Sequence, residues 1–268
     1  MQQNKKITSS FNLLNNIYSF LKFIIMPAYY ETGHAKNVAN FQDLIAFVTS
    51  YGATYNPTKN ALKLPQLNTL FTSGHNALAD VVAKNTAYNN AVNARIASFD
   101  GLRALCTRLV NAFQTTDATA EKIADAKGFN RKIQGQRSTK IATPVDANTP
   151  APTTISSSHQ SYDQLIQHFA GLISVLQSEP SYTPNETDLK IATLTAKQAD
   201  MTAKNTALAT VYTAVSNSRI ARDKVLYKDI TGLVPIATDV KKYIKAIFGA
   251  SSAEYAQVKG IEFKNVKK

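Results

Sequence analysis

The stretch NARIASFDGL, residues 93–102, returns as NSRIARDKVL at residues 217–226, with asparagine, arginine, isoleucine, alanine and leucine in the same places. Tyr88 and Tyr212 precede the two stretches at one common offset. A shared spacing of this kind is what an internal duplication leaves behind, and it predicts two homologous units. Both stretches end a long apolar seam. In the first copy Leu67, Phe71, Gly74, Leu78, Val81, Asn85, Tyr88, Val92, Arg95 and Phe99 alternate by three and four residues; Met201, Asn205, Leu208, Tyr212, Val215 and Arg219 repeat the rhythm in the second. Heptad spacing lays an apolar stripe along one face of a helix, which then needs a partner helix. Asp100-Gly101 breaks the first seam ahead of the shorter run Leu102, Cys106, Leu109 and Phe113.

Each copy opens on an amphipathic helix, carried by Phe41, Leu44, Ile45, Val48 and Tyr51 in one and by Tyr162, Leu165, Ile166, Phe169, Ile173 and Leu176 in the other. Asn40 and Ser161 stand where N-caps are expected. The turns TYNP, residues 54–57, and SYTP, residues 181–184, end those helices, because a residue before proline is pushed out of the helical region. Thr183, Pro184 and Glu186 then predict a fresh helix start. TDATAEKIADAKG and TDVKKYIKAIFG predict a short last helix in each copy, ending at Gly128 and Gly249, and the tails KIQG and QVKG follow.

Residues 138–158, STKIATPVDANTPAPTTISSS, mix three prolines with serine and threonine and read as a linker. The expected organisation is an N-terminal amphipathic segment over 1–37, a first helical unit over 38–137, the linker over 138–158, and a second unit with a basic tail over 159–268. The fold class is all-α, with two homologous three- or four-helix bundles and long heptad-patterned helices. A repeat near 100 residues is too long for a helical solenoid of the common kinds.

At 268 residues, with 44% apolar and 18% charged residues, the chain can bury a substantial core without staples. Cys106 is the sole cysteine, so an intramolecular disulfide and a multi-thiolate metal site are excluded; its place on an apolar face predicts a buried small hydrophobe. The segment FNLLNNIYSFLKFIIM, residues 11–26, is interrupted by polar residues and falls short of the roughly 20 residues that span a bilayer. No small-residue cleavage site follows it, so neither a secretory signal nor a transmembrane helix is expected, and a cytoplasmic location is favoured. The segment suits packing on the body or lying on a membrane surface, and Met26 offers an alternative start.

Arg95 and Arg219 fall on the seams, where a charge is costly unless paired and hydrogen-bonded. Asp43 and Asp163, on the opening helices, are the expected partners in a structural clamp; an anion held by both arginines, or snorkelling to solvent, are the alternatives. His34, His75, His159 and His168 show no metal-binding spacing and are expected at the surface or rim. Phosphate-loop, dinucleotide and nucleophile-elbow patterns are missing from the sequence, which predicts a non-enzyme with no cofactor and no small-molecule ligand.

The net charge is +12. Arg103 and Arg108, with Lys127, Arg131, Lys132, Arg137 and Lys140, form a run that could bind a polyanion, and no nucleic-acid-binding motif accompanies it. The repeated tyrosine-proline turn, the NARIA and NSRIA segments and the KIQG tail together resemble a loose group of tandem-repeat helical proteins of Bacteroidota, a resemblance that implies no activity. The expected function is a non-catalytic scaffold or protein-interaction protein, through a protein partner or self-assembly. Sequence-tolerant nucleic-acid or polyanion binding is the first alternative, and membrane-surface activity through residues 11–26 the second.

Overall fold

The computed structural model describes residues 28–136 and 160–266, and among them every regular element is helical. The predicted N-terminal segment 11–26, the linker 138–158, Arg137, Lys140 and His159 lie outside the described residues. In chain order the helices are α1 (Ala28–Ser50), α2 (Leu64–Phe99), α3 (Leu102–Phe113), α4 (Ala120–Ile133), α5 (Tyr162–Gln177), α6 (Ile191–Tyr227), α7 (Leu233–Phe248) and α8 (Ala253–Lys259). One-turn 3₁₀ segments at Asn60–Leu62 and Thr187–Leu189 lead into the two long helices.

Packing does not follow the sequential halves 38–137 and 159–268. Residues 28–83 with 216–266 make one compact unit, and residues 84–136 with 160–215 make the other. The first unit joins α1 and the opening part of α2 to the closing part of α6, α7 and α8. The second joins α5 and the opening part of α6 to the closing part of α2, α3 and α4. Each unit thus takes its last helices from the other half of the chain. A length argument accounts for this: the 36 residues of α2 extend about 54 Å, more than any of the shorter helices can cover. Heptad spacing fixes which face of α2 is buried and leaves the partner open.

The two cores are built alike. Phe41, Leu44, Ile45 and Val48 of α1 are buried in the first, and Phe169, Leu172, Ile173 and Leu176 of α5 in the second, at identical intervals. Leu62 and Leu67 match Leu189 and Leu194. Each such side chain contributes about 2 kcal/mol on burial. After each opening helix a buried tyrosine donates its hydroxyl across the turn, Tyr55 to the Leu62 carbonyl at 2.8 Å and Tyr182 to the Leu189 carbonyl at 2.9 Å. The turn backbone, which cannot join a helix beside its proline, is fastened by that bond.

The long helices run antiparallel within each unit. In the first unit a Cβ on Gly74 would lie 3.6 Å from the Leu226 side chain. In the second Tyr88 meets Tyr212 with ring centroids 6.1 Å apart, and Arg95 reaches Asn205. Gly101 ends α2 as the sequence predicts, in the left-handed conformation at φ 68°, and α3 starts beside it. Gly171 lets α5 close on α4: an added Cβ would meet the Phe129 ring at 2.2 Å.

Several local expectations are corrected. Helix α1 begins at Ala28, so Asn40 lies inside it and is not an N-cap, whereas Ser161 caps α5 by accepting from the Gln164 amide. Pro184 does not open a helix; the 3₁₀ turn intervenes and α6 starts at Ile191. Helix α4 runs through Gly128 to Ile133, because the Ile133 side chain, fully buried, rewards one more turn. TDVKKYIKAIFG forms most of α7, and a further short helix, α8, follows it.

Candidate interaction surfaces

In the second unit Arg95, half-buried on α2, lays its guanidinium over the Tyr162 ring of α5, 4.0 Å from the centroid. Phe99, one turn on, meets the same ring edge-on at 4.7 Å. Arg95 Nη1 donates to Asn205 Oδ1 at 3.3 Å, and Asn205 Nδ2 donates to Asp163 Oδ1 at 2.7 Å. The arginine and Asp163 are therefore joined through an amide and an aromatic face rather than by a direct ion pair. Asp43 takes no part. Aligning the buried faces of α1 and α5 puts Asp43 opposite Gly171, two turns past Asp163, and Asp43 is exposed with no ion pair among the described residues. Arg219 is half-buried on α6 and belongs to the first unit.

The basic run divides. Arg103 is spent on the end of α4, donating from Nε to the Ile133 carbonyl at 3.2 Å and from Nη2 to Gln160 Oε1 at 2.9 Å. Arg108 pairs with Asp188 at 2.5 Å, and this bond holds the Asp188 carboxyl below its usual range. In the first unit Lys59 pairs with Asp239 at 2.8 Å, tying the matching turn to α7. Lys127, Arg131 and Lys132 remain exposed on α4, with the Lys132 ammonium 5.3 Å from the Phe129 ring centroid.

Lys122 on α4 and Ser181 converge on Glu179, at 2.9 and 2.7 Å, and their hydrogen bonds hold that carboxyl down at about 2. Beside it lies a cleft of about 280 Å³, lined by Thr115, Thr116, Asp117, Ser181, Thr183 and Glu186. Three of its hydroxyls are engaged within the protein: Thr115 and Thr116 donate to the Ala112 and Phe113 carbonyls, each at 2.7 Å, and Ser181 to Glu179. Cys106 is fully buried as expected, and desolvation pushes its thiol up to about 12, keeping it protonated. No group of three or more His, Cys, Asp or Glu side chains is placed to hold a metal ion among the described residues. Nor is any described helix long and apolar enough to cross a membrane.

Several buried polar side chains escaped the sequence reading, among them Arg222, His34 and Asn37. Arg222 is 2% exposed and donates from Nε and Nη2 to Asp223 Oδ1 at 3.0 and 2.8 Å. The seam spacing from Val215 and Arg219 to Leu226 passes through position 222, which was the available signal. His34, expected at the surface, is 3% exposed on α1, with Nδ1 2.6 Å from the Tyr227 hydroxyl.

Asn37, 2% exposed, donates to that same hydroxyl at 3.1 Å and also holds the main chain of Lys264, donating to its carbonyl at 2.7 Å and accepting from its amide at 3.0 Å. Asn40 donates to the Glu262 carbonyl at 2.6 Å. From α7, Lys241 donates to the Lys259 and Ile261 carbonyls, both at 2.9 Å. Residues 261–266 thus lie along α1 and α7, their backbone held by side chains. No family model matches the chain, and no curated protein or solved structure is found that resembles it.

Proposed function

We propose that the chain is an internally duplicated, non-catalytic scaffold that engages protein partners through equivalent surfaces of its two copies. The observation that carries this reading is the outward isoleucine of the repeated stretches. Ile96 is 42% and Ile220 51% exposed, so both repeated stretches keep a β-branched apolar side chain in water, at positions three residues apart in the core register that pairs Leu67 with Leu194. A single exposed aliphatic side chain needs no explanation; the same one held outward twice, beside buried neighbours, suits a surface used twice. The matched cores and tyrosine fastenings support the duplication, whose copies exchange their closing helices. The resemblance to tandem-repeat helical proteins of Bacteroidota fits a common ancestry and adds no activity.

The test is an affinity pull-down from native extract at low and moderate salt, with wild type and the Ile96→Glu/Ile220→Glu variant. The scaffold reading expects a protein that co-purifies at both salt concentrations with wild type and is lost with the variant. Equal recovery by the two baits would refute it. The exposed Lys127, Arg131 and Lys132 favour a second reading, polyanion binding. That reading expects nucleic acid in the low-salt eluate, released at moderate salt.

A further inference from the structure

We propose that His34 is a proton-sensing switch of the first unit: the hydrogen-bond network joining α1, the end of α6 and residues 261–266 accepts only the neutral imidazole, and protonation in acid weakens that unit.

The protonation state follows from counting donors. The Lys264 amide can only donate and its carbonyl can only accept. The 3.0 Å bond to Asn37 Oδ1 and the 2.7 Å bond from Asn37 Nδ2 therefore fix which way the Asn37 carboxamide points. One hydrogen of Nδ2 is given to Lys264, and the other goes to the Tyr227 hydroxyl oxygen at 3.1 Å. That oxygen accepts from Asn37, and its own proton is directed at His34 Nδ1, 2.6 Å away. Nδ1 is then the acceptor, which makes His34 a neutral imidazole with its hydrogen on Nε2.

Acid reverses this arrangement. A proton added to Nδ1 meets the phenolic hydrogen across 2.6 Å, and the hydroxyl has to turn its hydrogen away from its acceptor. His34 and Asn37 are 3% and 2% exposed, so water compensates neither the lost bond nor the new charge. The charged and titratable groups on the elements around the imidazole are Arg222, Asp223 and Lys228 on α6, Glu262 and Lys264 on the closing segment, His75 and Asp80 on α2, and, in sequence, Glu31 and Lys36 on α1. Asp223 is engaged by the buried Arg222 at 3.0 and 2.8 Å, and Glu262 lies 3.3 Å from the Lys264 ammonium. Arg222 already places one buried cation in this unit, which opposes a second.

The direction of the pH effect is set by the difference between the two states. The unfolded chain takes up the proton near pH 6.5 and the folded chain resists it, so stability is complete above about pH 6.5 and falls as pH drops below that. At full resistance this one group raises the unfolding equilibrium constant about 25-fold between pH 7 and pH 5.

The test combines imidazole NMR of the full chain with urea denaturation. In wild type, His34 is expected to show the Nε2–H tautomer at pH 7 and to keep its neutral signals at pH 5.5, where an imidazole in water is about nine-tenths protonated. His34 signals that follow the free-imidazole curve, or that are already those of the charged ring at pH 7, overturn the proposal. His34→Asn brings an amide oxygen close to the position of Nδ1 and takes up no proton in this range. From pH 7 to pH 5 the unfolding constant of wild type is expected to rise at least fivefold more than that of His34→Asn, and an equal rise overturns the proposal. Should His34→Asn fail to fold, the wild-type titration alone decides.

Discussion

Removing the hydroxyl of Tyr55 or Tyr182 as phenylalanine tests the matched construction of the two units. Each hydroxyl is buried and donates to a leucine carbonyl seven residues on, at 2.8 and 2.9 Å, so the two bonds are alike in length and span. A buried neutral hydrogen bond is worth about 1 kcal/mol, and the stranded carbonyl raises the cost toward about 1.5 kcal/mol. Each single substitution should therefore lower the melting temperature by about 2–4 °C. The two sites lie in different units, so the double variant should lose the sum to within about 0.5 kcal/mol.

Alkaline pH gives the sharper measurement. Desolvation, with Glu186 and Asp188 adding to it, pushes the Tyr182 phenol up to about 12, and desolvation raises Tyr55 further in the same direction. Since the folded values lie above the unfolded value near 10, the stabilisation is complete below pH 10 and is lost as pH rises through 12. Ionisation in the unfolded chain alone costs the native state about 2–3 kcal/mol at Tyr182 over that window. Urea denaturation of wild type should show a falling midpoint from pH 10 to 12 that the double Tyr→Phe variant largely lacks. Indistinguishable alkaline profiles, or one single variant with less than about a third of the other's neutral-pH effect, would refute the reasoning.

Arg95→Met should cost about 1–2 kcal/mol in urea denaturation, from the lost stack on Tyr162 and the unmet amide of Asn205; Asp43→Ala, at an exposed site, should stay within about 0.5 kcal/mol of wild type. Ile230 is 72% exposed and holds φ 68°, a conformation that a β-branched residue adopts only at a cost. Ile230→Gly should raise stability by about 1 kcal/mol, read as an increase in the denaturation midpoint with an unchanged slope.

Periodicity made the faces legible. Phe41, Leu44, Ile45 and Val48 are buried as their spacing requires, and Asp100-Gly101 ends α2 where the sequence breaks. Partnership was not legible, because a heptad stripe says that a helix must be covered without saying by what. That gap explains both the exchange of closing helices and the Arg95 contact with α5 instead of α1. Asn37 and Asn40 carried no signal: on a helix they read as solvent-facing or capping, and only the presence of residues 261–266 beside them gives their amides a purpose. Gly128 misled for the converse reason, since a glycine can sit inside a helix when buried side chains beyond it, here Ile133, repay the extra turn.

The crossed composition of the units dictates an order of events at the ribosome. Residues 84–215 are contiguous and can close once they have emerged, whereas the other unit must keep residues 28–83 waiting until 216–266 have been made. The first of the described helices to be synthesised is thus among the last to find its core, and α1 must pass through synthesis with Phe41, Leu44 and Val48 uncovered. The same crossing means that a protease cut between residues 137 and 159 leaves two fragments, neither of which owns a complete core.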